Sequence, residues 1–163
     1  MKTPATRAIL AQEPTMTNRP QVYIAGPLFT PGQRALLEDI DRLCRAVGFA
    51  TYLPHRDAGV FDRDGDSRPF FEGDLRALEQ AALVVAVLDG CDVDSGTAWE
   101  LGYAYALGRP LLGYLTDVRI ARPRAQINPM IYHSLTALST DLTDLRTHLE
   151  ALWAAQGPTT RKE

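Results

Sequence analysis

The chain has 163 residues, of which 45% are hydrophobic and 23% are charged, as is typical of a soluble globular protein with one domain. Its formal net charge of −3 and the lack of an apolar run of roughly 20 residues make both nucleic acid and a membrane unexpected as partners. Two cysteines, Cys44 and Cys91, are too few for a disulfide framework and predict reduced thiols in a cytoplasmic protein.

The two ends of the chain differ from the part between them. Residues 1–20 contain three prolines and no sustained apolar segment, so they predict a flexible N-terminal tail, and residues 157–163 predict a C-terminal tail. No repeat or internal boundary divides residues 21–156, which we expect to form a single domain. Its first strand is predicted over 21–25, where β-branched and aromatic residues end at the turn Gly26-Pro27.

Helix and strand patterns alternate through the following residues. The predicted elements are a helix over 31–47, a strand over 49–53, a loop over 55–68 and a helix over 69–80. Ser67 is the predicted N-cap of the last of these helices, because its hydroxyl can accept a backbone hydrogen bond there.

A valine-rich apolar run over 81–88 predicts a strand that is buried on both faces, as in a parallel sheet. A helix is predicted over 99–107, and Gly108 ends it. The crossing between this strand and this helix is rich in acids. Because ligands in open α/β sheets bind at the carboxyl ends of strands, this crossing is the predicted site.

The remaining residues repeat the same order of elements. We predict a strand over 111–115, a loop over 116–125, a partly extended segment over 127–138 and a helix over 141–155, which Asp141 or Thr140 can cap. Repeated strand–helix units favour an α/β fold with a parallel sheet and right-handed crossovers.

Glu100 admits two interpretations. Thr97-x-x-Glu100 fits a capping box, in which the glutamate bonds back to the start of its helix. Alternatively, Glu100 is a carboxylate nucleophile or base, and a place in the first turn of the predicted helix would favour its ionised form.

Other side chains could converge on Glu100. Asp94 is either a turn residue or a second acid of the same pocket, and Asp74 is either an ordinary helical surface residue or a third. Three acids that meet would repel one another and raise the pKa of at least one of them. One acid would then be ionised while a neighbour holds a proton, and cleavage of a glycosidic bond requires such a pair: one group attacks and the other protonates the leaving group. Tyr23 and Phe29 flank the first turn. Each is either a core residue or part of the site, Tyr23 as a phenol near Glu100 and Phe29 as a ring that stacks on a base.

Metal and nucleotide motifs are weak or missing. The three histidines are isolated, and Asp62-x-Asp64-x-Asp66 lacks the glycine and the closing glutamate of a calcium loop, which favours a solvated loop. No glycine-rich phosphate-binding motif is present in the sequence.

The sequence resembles the nucleoside 2-deoxyribosyltransferase family over roughly residues 21–135. The similar segments are Tyr23–Phe29, Glu72–Leu75, the highly specific Asp94–Ala104 and Asn128–Met130. The resemblance implies a flavodoxin-like, doubly wound parallel sheet of about five strands with helices on both faces. It also implies a homo-oligomer with shared active sites that acts on 2′-deoxynucleosides and free nucleobases without a cofactor or a metal.

The resemblance also implies roles for single residues. Glu100 matches the nucleophile that forms a covalent deoxyribosyl intermediate, and Tyr23 matches the tyrosine that positions it. Asp94 and Asp74 match the acids that hold and protonate the base. Asn128 matches a residue that binds the sugar 5′-hydroxyl from a neighbouring subunit. Further substrate contacts are expected from the other matching positions, which are Gly26, Phe29 and Met130.

Two other functions stay open at this point. A sister group hydrolyses 2′-deoxynucleoside 5′-monophosphates, and Ser95-Gly96-Thr97 could bind a phosphate. The crowding of Asp92 and Asp94 opposes it, and the arginines at 119, 122 and 124 are the nearby counterweight. A non-catalytic flavodoxin-like binding module would instead make the acids structural.

Overall fold

The computed structural model describes residues 19–59, 65–117 and 127–156. Its five strands are β1 (Gln21–Ala25), β2 (Ala50–Tyr52), β3 (Leu83–Val87), β4 (Leu111–Tyr114) and β5 (Ala137–Ser139). All neighbouring strands are parallel, in the order β2-β1-β3-β4-β5. This is the order of flavodoxin-like sheets, so the predicted fold class is confirmed.

The described helices are α1 (Pro31–Val47), α2 (Pro54–Asp57), α3 (Arg68–Gln80), α4 (Ser95–Ala106), α5 (Pro129–Tyr132) and α6 (Leu142–Gln156). None of the helices in these parts of the chain is long and apolar enough to cross a membrane.

The two faces of the sheet carry different helices, because successive side chains of a strand point to opposite faces. On one face, Val22 and Ile24 of β1 pack with residues of α1 and α6. On the other face, Tyr23 and Ala25 pack with residues of α3 and α4. Tyr23 therefore lies under the same two helices that carry Asp74 and Glu100.

Several predicted boundaries are wrong, and local hydrogen bonds explain the differences. The predicted loop over 55–68 contains α2, which begins at Pro54. Ser67 stands at the N-cap of α3 without accepting a hydrogen bond through its side chain, whereas Asp66 accepts one from the backbone N–H of Arg68. By contrast, Asp141 does cap α6, since its carboxylate accepts from two backbone N–H groups of the first turn.

Some predictions fall on other parts of the chain. The tail predicted over 1–20, apart from residues 19 and 20, and the tail predicted over 157–163 lie outside the described residues. The same is true of Asp62 and Asp64 and of the arginines at 119, 122 and 124.

Candidate active site

The first turn of α4 is held by Asp94. Its Oδ2 accepts hydrogen bonds from the backbone N–H groups of Gly96 at 3.1 Å and Thr97 at 3.2 Å, so Asp94 is the N-cap and the helix begins at Ser95. Helix α4 thus starts four residues before the predicted Trp99. The predicted capping box is wrong, because Thr97 lies inside the helix and Glu100 is directed elsewhere.

Glu100 is bound by a tyrosine from the sheet. The Tyr23 hydroxyl donates a hydrogen bond of 2.6 Å to Glu100 Oε1, across 77 residues of sequence. Tyr23 is fully buried, so its ring is part of the core while its hydroxyl reaches the carboxylate. Tyr23 is therefore a core residue whose hydroxyl also contacts Glu100.

A second tyrosine–carboxylate pair lies beside the first. The Tyr52 hydroxyl donates a hydrogen bond of 2.9 Å to Asp74 Oδ1. The rings of Tyr23 and Tyr52 are stacked, with centroids 5.5 Å apart and planes 19° apart. They are neighbours because the two residues are paired in the register of β1 and β2. Tyr52 was not among the predicted site residues. The sequence did place it in a predicted strand, and pairing of that strand with β1 brings it beside Tyr23.

These side chains line a pocket of about 320 Å³ between α3 and α4. Its acids are Asp74 and Glu100, and Tyr23 lies beside them. Two half-exposed aromatic residues, Phe71 and Trp99, also line it, with ring centroids 6.0 Å apart. The remaining lining residues are Leu75, Leu78 and Gly96. The pocket therefore combines carboxylates with flat apolar surface.

Burial raises the pKa of both pocket carboxyls. Burial, with smaller contributions from the charges of Asp74 and Asp94, raises the pKa of Glu100 to about 7, although the hydrogen bond from Tyr23 opposes the rise. Burial also raises the pKa of Asp74, against the hydrogen bond from Tyr52. Repulsion among the acids thus contributes as predicted, but desolvation is the larger cause. The expected help from the helix dipole is wrong, because Glu100 is the sixth residue of α4 and the dipole acts within the first turn.

The other predicted residues do not line this pocket. Gly26 lies beneath α1, where a Cβ would come within 2.7 Å of Leu37 Cδ2. Phe29 and Met130 are 71% and 82% exposed. Asn128 is exposed and caps α5, since its Oδ1 accepts from the backbone N–H of Met130 at 2.9 Å. Within the described ranges, no group of three or more His, Cys, Asp or Glu residues is arranged to hold a metal ion.

Several proteins are similar to this chain. A 2-deoxyribosyltransferase from Bacillus psychrosaccharolyticus has a structure that is 28% identical with a TM-score of 0.66, and the match covers 79% of this chain and 95% of that one. An uncharacterized protein of Schizosaccharomyces pombe is 32% identical over 116 residues, which are 62% of this chain and 52% of that protein, so this chain spans about half of that relative. A protein of Thermofilum pendens that is named, by inference, 2′-deoxynucleoside 5′-phosphate N-hydrolase 1 is 26% identical over 119 residues, covering 70% of this chain and 80% of that protein.

The family model of the nucleoside 2-deoxyribosyltransferases matches residues 22–147. The matched region includes both tyrosine–carboxylate pairs and all five strands except Gln21, the first residue of β1. Enzymes of this group transfer or hydrolyse glycosyl groups. The chain therefore belongs to the nucleoside 2-deoxyribosyltransferase family.

Proposed function

We propose that this protein is a nucleoside 2-deoxyribosyltransferase that exchanges the purine or pyrimidine base of a 2′-deoxynucleoside by double displacement. The observation that carries the proposal is the Tyr23–Glu100 hydrogen bond of 2.6 Å beside the pocket that Asp74 also lines. The alternative interpretation made Glu100 part of a capping box. The N-cap of α4 is instead Asp94, and Glu100 makes no capping bond among the described residues. Trp99 and Phe71 further support a base as the ligand, because aromatic rings stack on the π-face of any base.

The first half of the proposed reaction forms a covalent intermediate. A Glu100 carboxylate oxygen attacks C1′, and the bond between C1′ and the base nitrogen breaks with its electron pair leaving on the base. A protonated Asp74 gives its proton to a ring nitrogen of the departing base, which the raised pKa of Asp74 favours. Since the substrate has no 2′-hydroxyl, its oxocarbenium-like transition state is easier to reach.

The second half reverses these steps with a new base. A ring nitrogen of the acceptor attacks C1′, the bond to Glu100 breaks, and Asp74 takes the proton that the acceptor loses. Each displacement inverts C1′, so the product keeps the configuration of the substrate. Asp94 contributes its negative charge near Glu100 and holds the helix that carries it.

Hydrolysis of a 5′-monophosphate is the alternative that the similarity to the Thermofilum pendens protein raises. In the residues that the structure describes, no Lys or Arg lines the pocket, and the ionised Glu100 of the proposed mechanism gives it negative charge. A phosphate dianion in this pocket would be repelled. The charge of the pocket therefore favours the uncharged nucleoside.

Product analysis tests the proposal. The protein is incubated with 2′-deoxyinosine and either adenine or cytosine, and the mixture is separated by chromatography. We expect 2′-deoxyadenosine or 2′-deoxycytidine to form together with hypoxanthine. Hypoxanthine with free deoxyribose would instead indicate a hydrolase. 2′-Deoxyinosine 5′-monophosphate is incubated in parallel, because a hydrolase specific for 5′-monophosphates leaves the nucleoside unchanged. No change in either substrate would refute both activities and favour a non-catalytic module.

Replacing Tyr23 with Phe is expected to shift the acidic limb of the pH profile. The hydrogen bond from Tyr23 lowers the pKa of Glu100, so its loss raises that pKa beyond about 7. Only the carboxylate attacks, so kcat/KM rises with pH through this pKa, and the limb moves to higher pH in the variant. At neutral pH we expect a loss of about tenfold or more. Measurement of kcat/KM between about pH 5 and pH 9 checks this.

The matched control for Tyr23→Phe is Tyr103→Phe. Tyr103 also donates to a carboxylate, Glu79, at 2.9 Å, but it does not line the pocket. In Tyr103→Phe, the acidic limb of the kcat/KM profile should lie at the same pH as in the wild type. A Tyr23→Phe limb that stays in place or moves to lower pH would show that Tyr23 does not stabilise the ionised nucleophile.

Substitutions of Asn128 test the proposal that this residue binds the sugar 5′-hydroxyl in the active site of a neighbouring subunit. Asn128→Asp keeps an N-cap acceptor for α5 but removes the amide donor, whereas Asn128→Ala removes both. If the amide binds the 5′-hydroxyl, both variants should lose about tenfold in kcat/KM with 2′-deoxyinosine and little with 2′,5′-dideoxyinosine. Equal losses with both substrates would place the contact elsewhere.

Shared active sites predict complementation between two impaired variants. If the partner subunit supplies the asparagine, a mixed oligomer of Glu100→Gln and Asn128→Ala chains has some sites that carry both native residues. We expect mixing, with exchange of subunits, to raise kcat/KM above that of either variant alone. No recovery in oligomers shown to be mixed would place both residues of a site on one chain.

A further inference from the structure

Two tyrosine–carboxylate pairs lie side by side between the sheet and the helices α3 and α4. Tyr23 and Tyr52 occupy adjacent strands on the same face of the sheet, with their rings stacked. Each hydroxyl donates to a carboxylate on a helix above, Tyr23 to Glu100 on α4 and Tyr52 to Asp74 on α3. The second pair thus has the same form as the pair that holds the proposed nucleophile.

Tyr52 is what holds Asp74 in place. Among the described residues, the Tyr52 hydroxyl is the one hydrogen-bond partner of the Asp74 carboxylate. The neighbouring residue is Gly73, which has no side chain; a Cβ there would lie at ordinary contact distance, 3.7 Å, from Tyr52 Oη. A cavity of about 450 Å³ is lined by Tyr52, Gly73 and Arg76, so the space beside Gly73 is open and a cation lies at it.

We propose that Tyr52 is the positioning residue of Asp74: its hydroxyl binds Oδ1 and so keeps Oδ2 directed at the leaving base. The assignment rests on the proposed function, in which Asp74 protonates the base. Tyr52 itself does not line the pocket, so the proposal gives it no contact with the substrate. Its effect on catalysis is therefore confined to steps in which Asp74 delivers or accepts a proton.

The proposed role can be distinguished from a purely structural one by comparing a substrate whose base must be protonated with a substrate whose base need not be. The base of 2′-deoxyinosine needs a proton as it leaves. Methylation at N7 gives the base a positive charge, so it leaves as a neutral molecule without protonation. A variant with a misplaced Asp74 should be slow with 2′-deoxyinosine and nearly normal with N7-methyl-2′-deoxyinosine. A variant with a damaged pocket should be slow with both substrates.

The experiment compares Tyr52→Phe with Tyr103→Phe. The second variant removes a hydroxyl that donates to Glu79 in an exposed pair outside the pocket. We expect Tyr52→Phe to lose about tenfold or more in kcat/KM with 2′-deoxyinosine and less than about twofold with the N7-methyl substrate. Tyr103→Phe should match the wild type with both. Tyr52→Phe at wild-type rates with 2′-deoxyinosine, or equal losses with both substrates, would overturn the assignment.

A double-mutant cycle provides the second test and does not depend on how well one variant folds. If Tyr52 acts through Asp74, Tyr52→Phe should cause no further loss with 2′-deoxyinosine in the Asp74→Asn background. Losses that multiply would assign Tyr52 an independent role and overturn the proposal. Failure of the proposed function is a separate result: wild-type protein that releases base from neither substrate would refute the transferase itself, and this assignment with it.

Discussion

Glu100→Gln is expected to lower kcat for base exchange on the order of 10⁴-fold, because the amide cannot form the bond to C1′. The substitution is conservative for the fold. The Gln carbonyl oxygen has the shape of Oε1 and can still accept the Tyr23 hydrogen bond of 2.6 Å. Buried Glu100 has its pKa raised to about 7, so a neutral amide adds no uncompensated charge to this position. Rates of formation of 2′-deoxyadenosine from 2′-deoxyinosine and adenine measure the effect.

The matched control is Glu79→Gln, which changes a glutamate that also accepts a tyrosine hydrogen bond but does not line the pocket. It should transfer at the wild-type rate. Mass spectrometry of wild-type protein mixed with 2′-deoxyinosine alone should show a fraction that is heavier by one deoxyribosyl group, and Glu100→Gln should show none. A Glu100→Gln variant that keeps exchange activity, or the adduct, would identify another nucleophile.

Local patterns were sufficient for most of the fold. The valine run of β3 has to be buried on both faces, and its context of alternating helices leaves a parallel sheet as the consistent arrangement. The start of α4 was not predictable in the same way. Asp94 and Thr97 are both good N-caps, and the choice depends on whether Glu100 bonds back to the helix or reaches Tyr23. That choice is made by a contact across 77 residues, which no local pattern contains.

The same reasoning explains how much of the candidate site could be predicted. Asp94 and Glu100 lie in one short segment at the strand–helix crossing, so the effect of the Asp94 charge on the pKa of Glu100 is local in sequence. Tyr52 escaped notice because its partner Asp74 is 22 residues away and its neighbour Tyr23 lies on another strand. Register between parallel strands is a tertiary property, and a one-residue slip would place Tyr52 on the opposite face.

Asp74→Asn is expected to lower kcat/KM for 2′-deoxyinosine by about 10²-fold, within the usual range for loss of a general acid. The Asn carbonyl can still accept from the Tyr52 hydroxyl, so the side chain stays in place but carries no acidic proton. Because N7-methyl-2′-deoxyinosine needs no proton, its kcat/KM should fall far less. In enzyme molecules in which Asp74 is ionised, its charge raises the pKa of Glu100, so Asp74→Asn should move the acidic limb of the profile to lower pH.

This shift is opposite in sign to the one expected for Tyr23→Phe, and the pair of variants therefore separates the two roles. Asp39→Asn is the control for the charge change itself, since Asp39 is half exposed on α1 and paired with Arg42. It should leave both the rate and the limb unchanged. Equal losses of Asp74→Asn with the two substrates would mean that Asp74 binds the base without protonating it. An acidic limb that stays in place would mean that the charge of Asp74 does not act on Glu100, and a limb that moves to higher pH would mean that Asp74 stabilises the ionised nucleophile.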